Sequence, residues 1–175
     1  MAITSRKQSQ AGFSLIETLV AMIVLTIGLM SVATVFSSSL EIISLAQADS
    51  IAQHQAQQMI EGIFAARNTG AISFAAIQNQ GTAPGIGIFK DGLTAAFLAG
   101  PDGVMNTTDD GPGLEVGPNG NPLSNFQRQI AITTVFLQDG VSPDPNERKV
   151  QVWVRYTMGR TVRTYTQVTY VSTFR

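Results

Sequence analysis

Glu17 is the residue whose position most demands a chemical reason. It is the single charge in the run FSLIETLVAMIVLTIGLMSVATVF, residues 13–36. A carboxylate near the start of a membrane helix costs on the order of 2–3 kcal/mol, more if deep. Such a residue is a functional hypothesis that needs a named partner. A second cluster lies between Gly100 and Gly111, where Asp102, Asn106, Asp109 and Asp110 offer hard oxygens and Glu115 follows closely. Calcium takes about six to eight oxygen ligands, backbone carbonyls included, and no Lys or Arg falls between Asp91 and Gln127 to neutralise these groups. The spacing is not that of an EF-hand, and Asp, Asn and Gly are also good turn formers. Calcium and solvated turns are therefore both carried forward.

The remaining candidates are weaker. From Arg148 to Arg175 there are six basic residues and no acidic ones, a pattern open to nucleic-acid contact. Arg155 and Arg163 fall in strand-like stretches, where edge protection or intersubunit pairing with the acidic loop explains them without DNA. His54 is the only histidine and the chain has no cysteine, so neither a His-based metal site nor thiolate chemistry is available. No Ser/His/Asp ordering or phosphate loop stands out, and GIGIF at residues 85–89 lacks a following helix. The chain reads as a non-enzyme with no resident cofactor beyond the calcium candidate.

The elements that would position these groups are legible at both ends of the chain. At 175 residues there is room for roughly one ordinary domain, and a formal net charge of −1 gives no general pull toward nucleic acid. Residues 1–12 are polar, with Arg6 and Lys7 as the only charges. The 24-residue apolar run that follows would span roughly 36 Å as a helix, enough for a hydrocarbon core about 30 Å thick. It is too long for a secretory h-region and is not closed by an A-x-A site. Basic residues ahead of it predict an N-in, single-pass orientation with the bulk of the chain exported. Residues 41–67 turn amphipathic, with Ile42, Leu45, Ala48, Ala52, Ala56, Met59, Ile63 and Ala66 on one face. Gly70 is the expected C-terminal stop.

Residues 70–127 are rich in Gly and Pro turns, with short apolar pieces at 86–89 and 93–98. Beyond them Ile130, Ile132 and Phe136 share one parity, and Val150, Val152, Val154 and Tyr156 alternate with Gln151, Trp153 and Arg155. Met158-Gly159-Arg160 then joins a last β-branched stretch as a hairpin. The expected fold is α+β: a long N-terminal helix, membrane-spanning in its first half, packed on a C-terminal antiparallel sheet. The expected segments are a leader (1–12), a membrane or filament-core helix (13–40), its amphipathic continuation (41–69) and a β-rich head (70–175).

The stretch from Gly12 through Phe13 to Glu17 and Ala21, behind a basic leader, resembles the prepilin motif of type IV pilins and type II secretion pseudopilins. The resemblance implies cleavage between Gly12 and Phe13 by a membrane-embedded aspartyl prepilin peptidase, then N-methylation of Phe13. It also implies that Glu17, fifth in the mature chain, pairs with the terminal amine of a neighbouring subunit during assembly. Leu25-Thr26-Ile27-Gly28-Leu29 and the late alternating strands are similar to PilV-like minor pilins. The implied role is a structural subunit in type IV pilus assembly or initiation. Its implied partners are other pilins, the peptidase/N-methyltransferase and an inner-membrane platform, and its implied location is the inner membrane and then the pilus at the cell surface. A minor pseudopilin of a type II secretion system, and a bitopic anchor that presents a binding domain without polymerising, remain the alternatives.

Overall fold

A computed structural model describes residue 12 and residues 14–173. Its first element is α1, Leu15–Thr69, a helix of 55 residues. The chain divides into two compact units between Ser44 and Leu45, so the amphipathic helical stretch belongs to the same unit as the sheet.

In the first unit α1 is apolar and long enough to cross a membrane, and its apolar window is wholly unburied. Its hydroxyls are handled internally. Thr26, Ser31, Thr34 and Ser39 donate to the carbonyls of Met22, Ile27, Met30 and Val35 at 2.7–2.9 Å. A hydroxyl that bonds back one turn leaves no unpaired donor, which is what a helix surface facing hydrocarbon requires.

In the second unit the pattern changes from all-round apolar to one buried stripe. Ala48, Ala52, Ala56, Met59, Ile63 and Ala66 are buried, as the spacing predicts, and Ile60 joins them. The alanines let the helix backbone approach the sheet closely. Ile42, the first residue of the expected stripe, stays exposed because it falls within the first unit. Gly70 ends the helix at φ 78°. Its N–H donates to Arg67 O at 3.1 Å and the Ile72 N–H donates to Ala66 O at 3.2 Å, collecting carbonyls the helix leaves open.

The sheet is antiparallel, in the order β1 (Thr94–Ala95), β2 (Phe126–Phe136), β3 (Pro143–Met158) and β4 (Thr161–Ser172). Ile130, Ile132, Val150, Val152, Val154 and Tyr156 turn inward onto the α1 stripe. The two-residue Gly159-Arg160 connection, with Gly159 at φ 58°, has the glycine-first pattern of a type II′ hairpin. Phe136 departs from the expected parity: the register shifts between Thr134 and Phe136, and the side chain is exposed. A bulge reverses which face a strand residue meets.

The Gly- and Pro-rich middle forms isolated bridges, turns and the two-residue β1, which falls within the apolar piece at 93–98. It still fills the core, through Ile72, Ile77, Phe89, Ala96, Val104 and Leu123. Tyr156 ties the layers together: its ring stacks on Phe126 with centroids 5.4 Å apart, and its hydroxyl donates to Asp49 Oδ1 on α1 at 3.0 Å. Burial and the Asp49 acceptor both raise the phenol's pKa. Tyr156→Phe should lower unfolding stability by about 1 kcal/mol, read by denaturant titration, because one buried hydrogen bond is lost with little change of shape.

Candidate functional site

The N-terminal site is built on the first turn of α1. Ser14 precedes it and acts as N-cap. Its carbonyl accepts from the Glu17 N–H at 3.0 Å and the Thr18 N–H at 3.2 Å, and its hydroxyl oxygen accepts from the Glu17 N–H at 3.3 Å. Ser14-Leu15-Ile16-Glu17 is thus a Ser-x-x-Glu start, with Glu17 at the third helical position. A carboxylate there also faces the positive end of the helix dipole. Nothing in the resemblance to pilins called for this local role, and the Ser14–Glu17 spacing was its readable signal.

Gly12 is exposed, and a Cβ added to it would meet nothing within 4 Å. The fold therefore makes no steric demand for glycine at this position, so a requirement for it has to come from a processing partner. Phe13 lies outside the described residues.

The acidic loop is organised around its own backbone. Asp102 Oδ1 accepts from the Val104 N–H at 2.8 Å, and Asp110 Oδ2 accepts from the Asn106 N–H at 2.9 Å. The Thr107 hydroxyl contacts Asp109 Oδ1 at 2.5 Å and Asp110 Oδ1 at 3.2 Å. Asn106 is fully buried at φ 67°; its amide donates to Lys90 O at 3.1 Å and its oxygen accepts from the Thr94 hydroxyl at 2.5 Å. The side chain proposed as a ligand is thus engaged in holding β1 to the loop. Among the described residues no group of three or more His, Asp or Glu side chains converges as a metal site. The loop's oxygens are engaged in contacts within the turn itself.

Burial raises the Asp102 pKa, and the neighbouring Asp109 charge adds to the shift; burial also raises Asp110, against the pull of Arg128 and Lys90. A carboxyl whose folded value lies above its unfolded one contributes stability at acid pH and loses it as pH rises through the folded value. Asp102→Asn keeps an oxygen for Val104 and removes the charge. Melting temperatures taken across roughly pH 4–7 should therefore fall less with rising pH in this variant than in the parent.

Sequence reading missed the strongest electrostatic feature, Arg128 on β2. Its side chain is fully buried. Its Nη1 donates to Glu115 Oε1 at 2.8 Å and to Gln55 Oε1 at 3.2 Å, and its Nη2 donates to Phe97 O. Gln55 Nε2 in turn donates to Glu115. This cluster joins α1, the 97–115 loop and the sheet. Its signal was parity, since Arg128 shares the inward face of Ile130 and Ile132 and requires a carboxylate. Beside it is a cleft of about 770 Å³ lined by Ile51, His54, Gln55, Leu98, Met105 and Glu115. Among the described residues, Arg128–Glu115 is the ion pair within the chain.

No curated protein and no solved structure gives a significant match to the chain. Residues 7–33 match the family model described as the prokaryotic N-terminal methylation motif. That span holds Lys7 of the leader, Gly12, Phe13, Glu17 and the first turns of α1. The chain thus carries the N-terminal methylation motif leading into an apolar helix whose later half packs on a four-stranded antiparallel sheet, an arrangement consistent with a type IV prepilin-like protein.

Proposed function

We propose that the protein is a minor type IV pilin: a structural subunit cut after Gly12, N-methylated at Phe13, held N-in in the inner membrane and then drawn into a filament. The observation that carries this reading is the methylation motif running directly into an apolar helix with one acidic residue in its first turn. Cleavage after Gly12 would leave an ammonium at Phe13, beside the positive end of α1, where a cation is disfavoured. Glu17 is positioned to offset that charge, in its own chain or a neighbour's. From Leu15 to Ile43 the large apolar side chains are exposed, Leu15 at 83% and Phe36 at 67%. They have to be covered by lipid or by other helices, and filament packing supplies the second.

The test is N-terminal mass spectrometry of the protein recovered from its native membrane and from sheared filaments. The expected mature chain starts at N-methyl-Phe13. An intact Met1, or a cut elsewhere, would remove the basis of the proposal.

A further inference from the structure

The two edges of the sheet are managed in opposite ways. On the β2 side, β1 covers Gln127 and Arg128, and Asn79 takes over further along. Its side-chain amide donates to Ile130 O at 2.9 Å, and its oxygen accepts from the Ile132 N–H at 2.6 Å. One buried amide thus imitates a strand's peptide group and blocks that edge. The β4 side is capped only at its end, where Arg67 Nη1 donates to Ser172 O. Among the described residues, no backbone hydrogen bond outside the β3 ladder involves Thr161–Val171. This edge is long at 12 residues, and from Thr164 to Val171 it contains no charge, proline or glycine. Long, uncharged, β-branched edges are what native proteins normally cover.

We propose that β4 is a docking edge for an extended acidic segment of a different polypeptide, which adds beside it as a fifth strand. The backbone supplies the ladder, and charge selects the occupant. Lys149, Arg155, Arg160 and Arg163 surround this edge, no acidic residue occurs from Arg148 onward, and none of the four forms an ion pair with a described carboxylate. A second copy paired through β4 would bring two such basic hairpins together, whereas an acidic strand is attracted to one. The inference does not depend on cleavage or polymerisation, so its failure leaves the pilin reading standing.

Hydrogen exchange on the full chain in detergent tests it. The probe is a synthetic peptide of roughly eight residues, alternating Thr or Val with Glu; controls replace Glu with Lys or insert a central proline. The acidic peptide is expected to slow exchange across Thr161–Val171, and to weaken about threefold against Arg160→Glu, an exposed turn change that leaves β2–β3 protection intact. No protection by the acidic peptide, or equal protection by the lysine peptide, overturns the proposal. Protection that grows with protein concentration in the absence of peptide also overturns it, in favour of a second copy.

Discussion

Arg128→Met should lower the unfolding free energy of the sheet-bearing unit by about 3–5 kcal/mol. Methionine fills much of the volume, so the effect isolates the polar loss. Without the guanidinium, the largely buried Glu115 carboxyl is left with only Gln55 to donate to it, and Phe97 O loses its donor. Arg128→Lys should recover only part of the loss, because a single ammonium cannot span Glu115, Gln55 and Phe97 together. The double variant Arg128→Met/Glu115→Gln, which leaves no charge behind, should recover more than lysine does. Trp153 is the sole tryptophan and sits on β3, so its fluorescence during urea unfolding reports on the sheet. A loss for Arg128→Met below about 1 kcal/mol would place the cluster among ordinary surface pairs.

How much of this was readable in advance divides along physical lines. Helix and strand periodicity repeat a signal over many residues, and those elements were legible: the α1 stripe from Ala48 to Ala66, the Gly70 stop, the alternation of Val150 to Tyr156 and the turn at Gly159. The membrane-span length and the odd placement of Glu17 were legible for the same reason. Between residues 70 and 125 each buried side chain stands alone. Ile77, Phe89 and Val104 reach the core from turns, with no neighbour to repeat the pattern. Asn79 looks like any turn asparagine until Ile130 and Ile132 are placed against it. In the acidic loop, counting oxygens along the chain does not show how many the loop uses itself: the Asn106, Asp102 and Asp110 side chains all serve local backbone or β1. Arg128 lay within reach of a parity argument, but only once β2 was known to begin at Phe126.

Glu17→Ala should cut the amount of this chain in sheared filaments by about 30- to 100-fold relative to its membrane pool, taking about 2–3 kcal/mol for the lost pairing. Two contributions point the same way. Alanine removes the desolvation cost that Glu17 carries in the lipid-embedded helix, so the membrane state is favoured. It also removes the carboxylate that would face a terminal ammonium, so the filament state is weakened. A local account competes with this one: Glu17 is the third residue of a Ser14-capped helix, and although the bond from its own N–H to Ser14 survives in alanine, losing a capping-box side chain costs about 0.3–1.5 kcal/mol. Glu17→Gln separates them. Glutamine keeps a side chain that can complete a capping box and keeps the length, but it has no charge to offer an ammonium. If assembly depends on charge pairing, the Gln variant should be as depleted from filaments as the Ala variant, with both present at parental levels in the membrane. Incorporation of Glu17→Gln at parental levels would reduce Glu17 to a capping residue and remove it from the assembly contact.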